Sequence, residues 1–338
     1  MQILCTSCSK KFEIPDERLS GFGTSITLPC PYCKFPILVN LKKDASPVTK
    51  NSPKTQLPSG KQLKDIILQS LKDLPPMPQV AQKARQVVSD PDSGFKDLAS
   101  VIETDPAIVT RILKIANSPY YGAVGRVASV QQAAVILGVK TLQELLSLAC
   151  AAGLLNKELK GYELIAGDLW NHSLATAAAC RIIANRDHPA LAEDAFSAGL
   201  IHDAGKLILD KYIFERKSAF QENLTGGGKT FLSVEKNILG FDHAEIAYDV
   251  CEKWQIPRHL SLAIKFHHQP SLSNENGMAY ILHVADSIAL MSGLGEGIDG
   301  MKYEMDIRAM EFLKLKDSDI QLIISEVLDY VEKTTKSI

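Results

Sequence analysis

Four cysteines open the chain as two matched pairs, CTSC at 5–8 and CPYC at 30–33. A two-residue gap lets a tight turn aim both sulfurs at one ion, and two such turns supply the four ligands of a tetrahedral structural zinc. Cys5, Cys8, Cys30 and Cys33 are therefore expected to hold zinc. A redox dithiol would need one pair, not two. The alternating stretches KKFEI and TSITL predict β-hairpins around the turns, and so short a head depends on its metal for stability.

A second set of chemistry-bearing residues is spread over the last two thirds of the chain. His172 lies in DLWNHSLATA, His202-Asp203 in GLIHDAGKL, His243 in FDHAEIA, His267-His268 in IKFHHQP and Asp286 in HVADSIA. Imidazoles with carboxylates suit Fe, Mn or Zn rather than Ca. Neighbouring His and Asp point to different sides of a helix, so His202 and Asp203 reach one ion only if a helix ends beside Gly205. Lys206, one turn on, could meet a substrate phosphate or pair with a nearby acid. Asp168 shares a helix face with His172 and reads best as a helix N-cap, while His188, His259 and His283 read as structural or surface groups.

Helical segments must position this set. Asp105-Pro106 places a capping acid before proline at the first helical position, and AIVTRILKIAN then aligns Ile108, Ile112 and Ile115. Further helices are predicted near 79–89, 95–103, 129–137, 139–154, 168–186, 190–201, 204–222, 230–238, 242–254, 257–268, 277–292 and 317–335. TGGGK at 225–229 lacks the spacing of a phosphate-binding loop. The stretch 42–61, rich in Pro, Ser and Lys, reads as a flexible linker between a head at 1–41 and an all-α body at 62–338.

The apolar fraction of 46% fits a globular protein, and a net charge of −2 argues against a global nucleic-acid footprint. Residues 1–61 carry +5 and the remainder −7, which allows an acidic partner at the head. No signal-peptide pattern is seen, and the best apolar run, Leu145 to Leu155, is about half a membrane span. A cytoplasmic location is expected, where thiols stay reduced and bind metal.

The order H…HD…H…HH…D resembles the HD superfamily of metal-dependent phosphohydrolases. Residues 65–290 are more closely similar to the HDOD family, the HD-related output domain of bacterial signalling proteins. The segments LPPMPQVAQKARQVVSDPDSGFKDLASVIETDPAIVTRILKIANSPYYG, ASVQQAAVILGVKTLQELL, LWNHSLATA and AGLIHDAGKLIL carry this resemblance. It implies an HD-like subregion at about 165–290 and a helical tail to about 335. It also implies a first metal site of His172, His202, Asp203 and Asp286, extended to a second metal by His243 with His267 or His268. The stretch after the paired histidines, HHQPSLSNENG, lacks the acid and the GYP motif of the related cyclic-dinucleotide phosphodiesterases. The head CTSCSKKFEIPDERL…LPCPYCKFPILV resembles a zinc-ribbon family of bacterial N-termini.

Two functions follow. The first is a signal-transduction or regulatory protein whose body or ribbon contacts signalling proteins, with the His/Asp metal site retained. The alternative is an active phosphodiesterase or nucleotidase that hydrolyses a phosphorylated small molecule, with Asp203 and Lys206 in catalysis. Nucleic-acid binding by the ribbon ranks last, and no membrane partner is expected.

Overall fold

The computed structural model describes residues 2–4, 10–13, 25–32, 36–40, 57–70, 79–90, 93–121, 126–225, 229–295, 297–298 and 305–335. They belong to two compact units, 1–57 and 58–338. In the first, β1 (Gln2–Leu4) pairs antiparallel with β2 (Lys11–Glu13), and β3 (Ser25–Pro29) with β4 (Pro36–Asn40). Ile3 faces Phe12 in one register and Thr27 faces Leu38 in the other. Cys30 follows β3 directly and is buried. Cys5, Cys8 and Cys33 lie outside the described residues, so one of the four expected zinc ligands is placed.

The second unit is helical. Its first part comprises α1 (Gly60–Ser70), α2 (Gln79–Ser89), α3 (Phe95–Ile102), α4 (Pro106–Ala116), α5 (Val130–Leu137) and α6 (Val139–Leu155). At α4, Asp105 accepts hydrogen bonds from the Ala107 and Ile108 amides at 3.0 and 3.2 Å, with Pro106 in the first turn. Ile108, Ile112 and Ile115 are buried, the face that the spacing predicts. Helix α1 begins inside the stretch read as a linker. Leu63 and Ile67 are fully buried, and Gly60 sits so close to Gly240 that a Cβ on Gly240 would lie 2.4 Å from the Gly60 Cα.

The second part holds the His/Asp set: α7 (Asp168–Asp187), α8 (Ala192–Ile201), α9 (Lys206–Glu215), α10 (Lys217–Thr225), α11 (Phe231–Leu239), α12 (His243–Lys253), α13 (Arg258–Lys265) and α14 (Gly277–Met291). The tail adds α15 (Ile307–Phe312) and α16 (Asp317–Thr335). The single helix expected at 204–222 is two helices. The chain breaks at Arg216, whose guanidinium donates to the Tyr212 and Pro58 carbonyls at 3.0 and 2.8 Å. Helices α7 and α14 are buried on nearly every face and form the centre of the core. Small residues let α8 approach α7, and a Cβ on Gly199 would lie 2.6 Å from the Ala177 Cα. Tail helix α16 packs on α7, and its Tyr330 hydroxyl donates to Glu144 of α6 at 3.0 Å. Among the described residues no helix is long and apolar enough to cross a membrane.

Candidate metal centre

Helix starts and ends place every member of the set but Asp286, which lies within α14. His172 lies in the first turns of α7. Helix α8 stops at Ile201, and the turn 202–205 carries His202 and Asp203 before α9 begins at Lys206. This is the helix end that the adjacent His-Asp pair requires. Gly205 makes it possible, because any Cβ there would lie 2.0 Å from the His243 carbonyl oxygen. His243 opens α12 beside the N-cap Asp242, whose carboxylate accepts from the Glu245 amide at 2.8 Å. His267 and His268 follow the end of α13, and Asp286 projects from the apolar helix α14.

These residues converge. The His172 Nε2 lies 3.0 Å from Asp286 Oδ1 and 3.6 Å from Asp203 Oδ2. The His202 Nε2 lies 3.4 Å from Asp203 and 3.7 Å from Asp286. The His243 Nε2 lies 3.3 Å from Asp203 Oδ1 and 2.8 Å from the His268 Nε2. The ligand atoms of three subsets fall within 4.8 Å of one another: His172, His202 and Asp203; His202, His267 and Asp286; His243, His267 and His268. All seven residues of the set gather here. Lys206 is buried beside them, its ammonium 2.8 Å from Asp203 Oδ2, so it pairs with an acid. Asp168 stands apart at the first position of α7, where its carboxylate accepts from the Ile165 amide at 2.8 Å, and Gly167 is the N-cap.

Four imidazoles are turned the same way. The Nδ1 atoms of His172, His202 and His267 donate to the carbonyls of Leu294, Gly199 and Ile264 at 3.2, 2.9 and 2.6 Å. The Nδ1 of His243 donates to Glu235 at 2.7 Å. Each bond fixes the tautomer and leaves Nε2 facing the centre, the arrangement that metal-binding histidines use. Among the described residues the buried His202 Nε2, His267 Nε2 and Asp203 Oδ1 have no hydrogen-bond partner. Orphaned buried lone pairs on imidazole and carboxylate are what a divalent cation of the Fe, Mn or Zn kind satisfies, so the residues fit such an ion.

The electrostatics agree. Burial pushes the Asp203 carboxyl up, but His202, Lys206 and His243 outweigh it and hold the group well below the usual carboxylate range. Burial likewise opposes ionisation of Asp286, and the neighbouring His172 and His202 imidazoles hold it well below that range. Burial and the neighbouring His202 charge push His267 down to about 3, which leaves its imidazole neutral. Burial would lower His243, yet Glu235 and Asp203 raise it to about 9, so a cation must displace a proton there.

Glu235 of α11 was not singled out by the sequence and is the main addition to the site. It is fully buried, and it accepts from the Tyr162 hydroxyl at 2.6 Å and from both the backbone and the ring of His243. We expect Glu235→Gln to weaken metal retention by about 10–100-fold, since the imidazole would lose its charged acceptor. Metal content after dialysis against graded chelator measures this, and full retention would contradict the role.

Imidazoles and carboxylates gathered from five helical neighbourhoods around one buried centre define an HD-like helical domain. The chain belongs to the HDOD domain family, which it matches over residues 74–270. An uncharacterised protein of Treponema pallidum (strain Nichols) is 27% identical over 212 residues, which are 60% of this chain and 39% of that one. The chain thus spans about two fifths of that relative's length.

Solved structures share the fold. An HDOD domain protein of unknown function from Geobacter sulfurreducens has a TM-score of 0.66 at 20% identity, covering 81% of this chain and 99% of its own. A candidate phosphohydrolase from Shewanella amazonensis SB2B has a TM-score of 0.62 at 24% identity, covering 80% and 98%. A candidate signal transduction protein from Marinobacter aquaeolei VT8 has a TM-score of 0.62 at 24% identity, covering 83% and 61%.

Proposed function

We propose that the body is a metal-dependent phosphohydrolase of the HD kind, acting on a phosphorylated small molecule. The observation that carries this reading is the convergence of five histidines and two aspartates, in which the buried His202 Nε2, His267 Nε2 and Asp203 Oδ1 lack a hydrogen bond among the described residues. His172, His202, Asp203 and Asp286 would hold one divalent ion, and His243 with His267 or His268 a second. Such ions supply Lewis-acid polarisation of a phosphoryl oxygen and activation of a water. The chain's own residues set the stage. Glu235 and the three backbone carbonyls orient the imidazoles, Lys206 balances the Asp203 charge, and burial of every member but His268 limits access of bulk water. His268 also lines an open cavity, and so offers the substrate its approach.

A second reading is favoured by family membership and by the separate N-terminal unit. On it the body is a regulatory output module in a cytoplasmic signalling chain, the ion is structural, and body or ribbon contacts a signalling protein. Assays on a panel of phosphodiesters, phosphomonoesters and nucleotides separate the two. Hydrolysis by the wild type that falls at least about 10³-fold in His202→Ala supports the enzyme. Full metal occupancy with no turnover of any compound supports the module.

The ribbon is proposed to hold structural zinc through Cys5, Cys8, Cys30 and Cys33, on the strength of their spacing. Cys5→Ser is expected to remove about one zinc per chain and to unfold the head alone. Circular dichroism showing the body unfolded as well would contradict the separation of the two units.

A further inference from the structure

A cavity of about 580 Å³ opens beside the centre, with His268 in its wall. That volume falls in the range of sites for small molecules and far exceeds what a lone inorganic anion fills. Its lining includes the apolar side chains of Leu232, Leu272 and Ile307. It also includes Arg308, which belongs to the tail beyond the family-matched residues 74–270.

Arg308 is held in place before any ligand arrives. Its Nε and Nη2 donate to the two oxygens of Asp306, each at 2.9 Å, and Nη2 also donates to the Ser271 hydroxyl at 2.9 Å. The Nη1 group has no partner among the described residues. A guanidinium fixed on one edge and open on the other is a preorganised anion receptor. Asp306 cancels much of its net charge, so a bare anion gains little, and a ligand must add contacts along the cavity. The wall is also coupled to the centre. The His283 ring donates from Nδ1 to the His267 carbonyl at 2.7 Å and accepts at Nε2 from the Asp306 amide at 2.8 Å. His283 thus ties the start of α15 to the histidine pair and sets the position of Arg308 relative to His268.

We infer that this cavity is the binding site for a phosphorylated small molecule with an apolar body, and that Arg308 of the tail determines its affinity by taking the anionic group. The inference rests on the hydrolase reading for its location beside the centre, but it is tested by binding. The probe is phenylphosphonate, which resists hydrolysis, titrated calorimetrically into the full chain, with inorganic phosphate in parallel. Metal content is measured on the same samples. Wild type is expected to bind phenylphosphonate at least about tenfold more tightly than Arg308→Ala or Leu272→Asp, both at exposed positions. Inorganic phosphate is expected to show no such dependence on Leu272. Equal affinity in wild type and both variants, or no binding by wild type, overturns the inference whatever the metal content. Binding that depends on Arg308 in protein without metal at the body site upholds the cavity and removes the hydrolase reading alone.

Discussion

Asp203→Asn is expected to empty the centre and destabilise the body together. Asp203 is the hub of the cluster, within 3.6 Å of His172, His202, His243 and Lys206. The amide keeps the shape and removes the charge. The cationic groups are then left with Asp286 and with Glu235, which reaches only His243, and the buried ammonium of Lys206 loses a carboxylate that helps offset its desolvation. Breaking a buried pair from one side costs about 3–5 kcal/mol, which a fall in the denaturant midpoint at unchanged slope would report. Adding Lys206→Met should restore much of that stability and none of the metal. Retention of metal and midpoint in Asp203→Asn would show that the carboxylate is not the hub.

Gly205→Ala should be nearly as severe, although it adds one methyl group. The new Cβ would lie 2.0 Å from the His243 carbonyl oxygen and 2.9 Å from the Ala247 nitrogen. Both are backbone atoms of α12, so no side chain can swing aside. The start of α9 and the start of α12 must part, at a cost of about 1–3 kcal/mol or more. The same movement lengthens the 3.3 Å approach of His243 to Asp203, so metal retention falls with stability. Gly94→Ala is the control, because the nearest atom to its Cβ would be 3.8 Å away. Similar melting temperatures for the two variants would argue against a tight contact at Gly205.

Much of the centre was legible because its chemistry is carried by residue type. Adjacent His202 and Asp203 before Gly205 demand a helix end, and α8 stops at Ile201. The helices were legible where caps and spacing agree, as at Asp105-Pro106. The supporting residues were harder to see. Glu235 resembles a solvent-facing acid in FLSVEKNIL, yet it falls on the same helical stripe as Phe231 and Ile238, which is the signal that it is buried. His283 reads as a structural residue, and only tertiary packing reveals that it joins the His267 carbonyl to Asp306. The break at Arg216 depends on a contact distant in sequence, so no local pattern announces it, whereas α15 has a local N-cap in Asp306 but spans only six residues. Cys5, Cys8 and Cys33 rest on their spacing, since they lie outside the described residues.

The central claim is that the His/Asp centre of the body holds a divalent ion of its own. The most direct measurement is elemental analysis of the full chain, wild type and His202→Ala, purified without added metal or chelator. The ribbon cysteines are the same in both proteins, so any zinc they hold cancels in the comparison. The account predicts at least about one Fe, Mn or Zn per chain more in the wild type than in His202→Ala. Equal metal content in two folded proteins would contradict it.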